Sequence, residues 1–452
     1  MSQPTKYKIK DVGDGSSSLP LKYPCNSWVN TIRAIPEILS FTAGLALLTG
    51  FLFFARFHDF YTPDSPGYII PANNLVAGHG FSESTGYPET LRTPGYPLLL
   101  VPFLWAGSDL TYLIVFQHLL RICIALATTA FAFRLTGSRR QALAAGIVLC
   151  VDVPMLEAAN TVMSEILFTA IQLIILWLLW TEAGQPEKRR THAFFPGLLS
   201  GVSVLIRPVS LFFFLPAAAY LLLVRKEYKF RAVFSFVLAF AISPFIWAVR
   251  NFQETGYFTV TSISGLNMLS YRAAGVLAIS DPGDFYKNLV KRQDQLQTEA
   301  CEGLRRLYGT ECAKLTTPQR AHYYSSLGSE ILTQHPVDYA RLAFRGATLM
   351  FLGGGADRFA RVARIRPQVA ERILLIYTLP TFCLLIVGSM VLWNENRPLF
   401  YLFFLVVIYF LVISAGAEAY SRFRVPILPI YAILVAVGWD FILRRSRYYH
   451  SS

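Results

Sequence analysis

The chain has 452 residues, of which 54% are hydrophobic, 14% aromatic and only 15% charged, a balance too apolar for an ordinary soluble domain. Its formal net charge of +13 suggests nucleic acid at first sight, but no basic stripe with interleaved aromatics stands in a soluble domain, and cations flanking membrane spans explain much of the excess. Composition thus sets nucleic acid aside and predicts an all-α polytopic membrane protein, with the lipid bilayer as a partner.

The N-terminal tail, residues 1–37, is polar and too long for the charged head of a cleaved signal, so the first apolar run is expected to stay as a signal anchor. About ten apolar runs are candidates to cross the hydrocarbon as helices. They are approximately Ile38–Phe57, Tyr112–Phe133, Ala142–Leu156, Ile166–Trp180, Phe194–Ile206, Val209–Val224, Val233–Val249, Leu374–Trp393, Leu399–Ser414 and Val425–Leu443. The expected organisation is an N-terminal transmembrane catalytic module over 38–249, an outer loop or cap over 250–372, C-terminal spans over 373–443 and a tail over 444–452. No internal repeat is visible, and the one low-complexity stretch is GDGSSS near the N-terminus.

The first long connection, 58–111, holds DFYTPDSPGYIIP from Asp59 and carries Asp59, Asp64, Glu83, Glu89 and Arg92 among many Gly and Pro residues. A bare turn between two spans needs only a handful of residues, so this reads as an ordered, functional loop. Within it, Tyr96–Gly107 is apolar but short and contains Pro102, and it reads as a helix lying at the membrane surface. Tyr339–Gly353 reads the same way.

Lys and Arg in short connections prefer the cytoplasm. Alternating sides from an inside N-terminus places Lys6, Lys8, Lys10, Lys22 and Arg33 inside, followed by Arg134, Arg139 and Arg140, then Lys188, Arg189 and Arg190. Arg225, Lys226, Lys229 and Arg231 fall on the same side, as do Arg397 and the tail residues Arg444, Arg445 and Arg447. Both termini are therefore expected in the cytoplasm, and the first loop on the periplasmic or extracellular side of the cytoplasmic membrane. Cys123, Cys150 and Cys383 read as small core residues. Cys301 and Cys312 share one polar loop, and an oxidising compartment on that side would permit a disulfide between them.

Costly residues collect on that outer side: Asp64, Glu157, Glu165, Arg207, Arg250, Glu418, Arg422 and Arg424. Ionisable groups at membrane depth mark sites or paired structural contacts. Each has a simpler reading as well: Asp64 as the cap of a helix starting near Pro66, Glu165 as a first-turn acid, Arg207 as an end-of-span anchor. Gln117, His118 and Arg121 read as an interior polar cluster. No Cys or His group has zinc spacing.

The ordered set PDSPGY (from Pro63), RTPGYP (from Arg92), MSE (from Met163), IRP (from Ile206), WAVRN (from Trp247) and RFRVPILP (from Arg422) resembles polyprenyl-phosphate-dependent glycosyltransferases of the GT-C superfamily. It looks closest to the branch holding bacterial relatives of protein O-mannosyltransferases and aminoarabinose transferases. The resemblance covers about Ile38 to Asp440. It implies a GT-C bundle of about ten spans with juxtamembrane helices in the first outer loop. It implies transfer of a hexosyl or pentosyl group from a polyprenyl-phosphate sugar donor to a glycan, lipid or protein acceptor at the outer face.

Asp64 then matches the catalytic base and Glu165 the second acid. Arg422 and Arg424 match the motif that holds the donor phosphate, with Arg250 and Arg207 as further candidates, and Arg92, Tyr68, Glu418 and His58 as substrate contacts. A phosphate leaving group needs cations rather than a general acid, and an acceptor hydroxyl needs a base. Asp59 and Asp64 form no close acidic pair, so no metal ligands are assigned and the use of a divalent ion stays open, as does any other cofactor. Two other readings are an O-antigen polymerase or ligase, which would lack the DSPGY and RTPGYP pair, and a transporter, which would show related halves and broken spans at matching positions.

Overall fold

A computed structural model describes residues 28–107, 109–183 and 193–450. Lys6, Lys8, Lys10, Lys22, Cys25, Lys188, Arg189 and Arg190 lie outside the described residues, as does the side chain of Arg447. Within them the chain is helical, with a single isolated bridge, Ser82 to Pro88.

The order begins with α1 (Trp28–Ala34), α2 (Pro36–Arg56), α3 (Pro66–Val76), α4 (Gly95–Trp105), α5 (Leu110–Thr136), α6 (Arg139–Val151) and α7 (Val153–Ala159). It continues with α8 (Glu165–Ala183), α9 (Phe194–Ile206), α10 (Phe214–Val224), α11 (Lys229–Thr255), α12 (Ile263–Asn267) and α13 (Ala274–Ser280). The remaining helices are α14 (Phe285–Tyr308), α15 (Thr317–Gln334), α16 (Pro336–Leu352), α17 (Ala356–Ala363), α18 (Pro367–Glu395), α19 (Arg397–Ser414) and α20 (Leu428–His450).

Local chemistry sets the ends. Asp109 accepts from Thr111 N at 2.8 Å to cap α5, which stops at Gly137 in the left-handed region, φ 66°. Ser138 caps α6. Asp152 accepts from Met155 N at 3.1 Å to start α7. The 59° bend between α6 and α7 falls where Pro154 has no N–H for the ladder and restricts the residue before it.

All ten apolar runs of the sequence are helical, but not all are full-length spans. Among the described residues seven helices are long and apolar enough to cross a membrane, or eight if the bent α6–α7 pair counts as one. The runs Phe194–Ile206 and Val209–Val224 fall short because the chain turns between them at Arg207, with a 3₁₀ turn at Pro208–Ser210. They still reach both ends of α8. Arg207 pairs with Glu165 at 2.6 Å at one end, and Arg225 with Glu182 at 2.8 Å at the other. At 1.5 Å per residue those ends are about 26 Å apart, close to the hydrocarbon thickness. Gly197 and Gly201 let α9 meet the Phe236 and Phe240 carbonyls of α11, where any Cβ would collide.

The last span is the axis of the bundle. Over Ser421–Ser446, 83% of the most apolar window is buried, against 22–56% for the other spans. It begins with a 3₁₀ stretch, Ser421–Ile427, and Arg424 fixes that stretch in place. Arg424 Nη2 and Nε reach Asp152 Oδ2 at 2.7 and 3.2 Å, and Nη1 donates to the carbonyls of Gly353 at 2.7 Å and Phe351 at 3.2 Å. Both partners are buried, Arg424 at 1% and Asp152 at 0% exposure.

Helices α12 to α15 build a second core around Leu269, Leu296, Leu304 and Tyr324, closed by the Cys301–Cys312 disulfide. Ser262 N donates to Thr90 O and Thr261 Oγ1 to Leu91 O, each at 2.8 Å, so the chain entering this second core is tied to the first loop.

Removing Arg424 alone strands a buried carboxylate, which costs about 3–5 kcal/mol. Arg424→Met is expected to lower the unfolding midpoint of the detergent-solubilised protein sharply, and Arg424→Met with Asp152→Asn to recover much of the loss. Equal losses in the single and double variants would show that ion pairing is not the anchor.

Candidate active site

The site is assembled by stitching the start of the first loop to the turn between α7 and α8. Asn160 Nδ2 donates to Phe57 O at 2.7 Å, Val162 N to Phe60 O at 2.9 Å, and Ser65 Oγ to Val162 O at 3.0 Å. From below, Gln117 Nε2 donates to Thr161 O at 2.8 Å while its Oε1 accepts from Tyr96 at 2.8 Å. The interior polar cluster expected around Gln117 thus holds the turn that carries Glu165. Ser65, Gln117, Asn160, Thr161 and Ser164 are all buried, which leaves this backbone little room to move.

On this frame five helix ends bring two acids and three arginines together. Asp64 Oδ1 pairs with Arg92 Nη2 at 2.9 Å, and its Oδ2 with Arg422 Nη2 at 2.7 Å. Arg422 Nε lies 3.6 Å from Glu165 Oε1, and Arg207 Nη1 is 2.6 Å from that same oxygen. Tyr68 joins the group: its hydroxyl is 3.3 Å from Ser164 Oγ and accepts from Arg92 Nη1 at 3.4 Å. Arg207 Nη1 also donates to Ser164 Oγ at 3.3 Å. Glu165 is only 1% exposed, whereas Asp64 is 31% exposed and faces outward. One acid is thus deep and the other accessible.

The helix-cap reading of Asp64 is not what the structure shows. Ser65 precedes α3, and the Asp64 carboxylate turns to the two arginines. Burial pushes the Asp64 carboxyl up, but Arg422 and then Arg92 outweigh it and hold the group below its usual 3.8. Arg92 is itself held in place by Glu89, whose Oε1 accepts from Leu91 N at 2.5 Å and Arg92 N at 3.0 Å. Burial pushes the Glu89 carboxyl up in spite of those bonds.

Several residues named from the sequence stand apart from this group. Arg424 spends all three guanidinium nitrogens on Asp152 and backbone carbonyls, as described above. Arg250 donates to Phe81 O at 2.9 Å and Glu89 O at 3.0 Å, bracing the loop that presents Arg92 rather than meeting Asp64. Glu418 pairs with Arg272 at 3.5 Å, and burial pushes its carboxyl up. His58 packs edge-on against Phe54.

Ser164 is a member of the site that the sequence does not single out, and Asp152, Arg358 and Arg272 are partners of candidate residues outside it. In the sequence Ser164 is only the middle residue of MSE. Asp152 interrupts an apolar run, a signal that membrane-depth cost would have flagged. Arg358, which pairs with Glu157 at 3.0 Å and Asp59 at 3.4 Å, and Arg272 lie in the long segment 250–372, where arginine carries no topological cost.

Among the described residues no group of three or more His, Cys, Asp or Glu stands together. Both oxygens of Asp64 and Oε1 of Glu165 already face guanidinium groups. This donor set does not fit a divalent ion, and the cations of the site are arginines.

The sequence matches no protein-family model and no curated protein. Solved structures do resemble it. The oligosaccharyltransferase of Archaeoglobus fulgidus, tethered with an acceptor peptide containing the NVT sequon, matches with a TM-score of 0.52 and 10% identity, over 94% of this chain and 51% of that one. ArnT from Cupriavidus metallidurans bound to undecaprenyl phosphate matches with a TM-score of 0.41 and 12% identity, over 87% of this chain and 77% of that one. The chain spans about half the length of the archaeal structure. The first likeness is one of fold: this chain is a helical membrane bundle similar to that of the archaeal oligosaccharyltransferase.

Because the folded-state value of Asp64 lies below 3.8, its ion pairs contribute stability above about that pH and lose it as pH falls through the lower value. The unfolding midpoint of the parent is expected to exceed that of Asp64→Asn at neutral pH, with the gap closing only in strong acid. A gap that had already closed at about pH 5 would contradict the pairing.

Proposed function

We propose that this chain is an integral membrane glycosyltransferase that moves one hexosyl or pentosyl group from a polyprenyl-phosphate donor to an acceptor hydroxyl. The observation that carries this reading is the alternation of Arg92, Asp64, Arg422, Glu165 and Arg207 in one continuous contact chain. It offers an outward-facing carboxylate beside cations able to meet a phosphate, and lipid-phosphate sugar transfer asks for both. The fold shared with an oligosaccharyltransferase is compatible with this chemistry.

In the proposed step the acceptor oxygen bonds to the anomeric carbon as the bond from that carbon to the phosphate oxygen breaks. The electron pair of the broken bond stays on the polyprenyl phosphate, and the proton of the acceptor passes to Asp64. Arg422 Nη2 and Arg207 Nη1 stabilise the charge growing on the leaving phosphate, for which paired guanidinium groups are well suited. Glu165, deep and flanked by both arginines, holds them in position and adds negative potential near an oxocarbenium-like centre.

The site is proposed to lie on the periplasmic or extracellular side of the cytoplasmic membrane, with both termini in the cytoplasm. The arginine and lysine distribution supports this, and so does the Cys301–Cys312 disulfide in the segment over the site, since disulfides persist in oxidising compartments. Residues 38–249 would then hold the catalytic module, with 250–372 as the outer cap and 373–443 completing the bundle.

The test is transfer of radiolabelled sugar from polyprenyl-phosphate carriers to membrane extracts, comparing the parent with Asp64→Asn at matched expression. Transfer is expected from the parent, with the variant slower by about 10²–10⁴-fold. A variant as active as the parent would remove Asp64 as the base. Failure of every carrier would remove the enzyme class.

A further inference from the structure

Both oxygens of Asp64 are engaged in this state, Oδ1 by Arg92 at 2.9 Å and Oδ2 by Arg422 at 2.7 Å. A carboxylate held between two guanidinium groups is a poor proton acceptor, because taking the proton means giving up both charge-assisted contacts. At the same time the Arg422 nitrogen that would meet a donor phosphate is the one already paired with Asp64. Base and phosphate ligand therefore block each other.

The two arginines differ in what ties them down. Glu89 fixes the Arg92 backbone through two N–H groups, and the Arg92 guanidinium lies over the Tyr68 ring at 4.8 Å. Arg422 has a second acid, Glu165, 3.6 Å from its Nε, and lies over the Tyr420 ring at 4.8 Å. Arg422 can therefore leave Asp64 without leaving the site, whereas Arg92 is built to stay.

We infer that the Asp64–Arg422 ion pair is a donor-operated latch: Asp64 occupies the phosphate position on Arg422 until the lipid phosphate displaces it, and the displacement uncovers the base. This rests on the glycosyltransferase reading above and goes beyond it. The base becomes competent only when the donor is in place. A competing anion that a phosphate displaces also weakens phosphate binding, so Asp64 acts against donor affinity while serving turnover.

The experiment is equilibrium binding of radiolabelled polyprenyl phosphate to the purified full chain in detergent micelles, for the parent, Asp64→Asn and Asp64→Ala. Polyprenol, which lacks the phosphate, serves as the control lipid. Both variants are expected to bind polyprenyl phosphate about two- to fivefold tighter than the parent, the scale set by removing one partly exposed competing ion pair, with polyprenol unchanged. Two variants of different shape guard against one of them failing to fold. Equal or weaker phosphate binding by the folded variants would overturn the latch while leaving the donor class standing. No phosphate binding by parent or variants would overturn the donor class and the latch together. An equal gain for polyprenol would also overturn it, because the effect would then not involve the phosphate.

Discussion

Arg422 stands between an exposed carboxylate and a buried one, and the architecture around it is arranged to hold that position. It contacts Asp64 at 2.7 Å from the first loop and approaches Glu165 at 3.6 Å at the head of α8, while being carried itself by the turn into the last span. Three segments far apart in sequence therefore meet on one guanidinium. The same cation neutralises two acids that would otherwise repel at the membrane edge, and charge so close to lipid is tolerated only when matched.

Much of the rest of the bundle serves that placement. Arg424, two residues on, is the fixed partner: its full burial against Asp152 locks the 3₁₀ stretch to the α6–α7 bend, so that Arg422 emerges from a rigid base. The neighbouring arginines of RFR have thus divided their work. With Phe423 between them, the Arg422 side chain meets the acids of the site and that of Arg424 is buried against Asp152. Arg250 and Glu89 brace the loop that presents Arg92, and the chain leading into the second core is tied to that loop through Thr90, Thr261 and Ser262.

The helical class and the apolar runs were legible in the sequence because a bilayer demands uninterrupted hydrophobic helices, and periodic polar loops between them stand out. Asp64, Glu165, Arg207 and Arg422 were legible for a related reason: charge at membrane depth is costly enough to be conspicuous. The division between Arg422 and Arg424 was not, since both occupy equivalent-looking positions beside an aromatic, and only packing against Asp152 separates them. The shortness of the helices over 194–224 follows from the turn at Arg207 and Pro208 between the two apolar runs, and both fall below the length of a full span while still reaching the ends of α8. Arg358 and Arg272 gave no local signal, because their partners Glu157 and Glu418 lie more than a hundred residues away, and pairing at that range is set by topology rather than by spacing.

The most direct test of the account is an experimental structure of the full chain with polyprenyl phosphate bound. The account requires the phosphate oxygens to lie about 3 Å from Arg422 Nη2, with Asp64 Oδ2 moved off that nitrogen and Arg92 still paired to Oδ1. A bound phosphate remote from Arg422, with the Asp64–Arg422 pair intact, would contradict it.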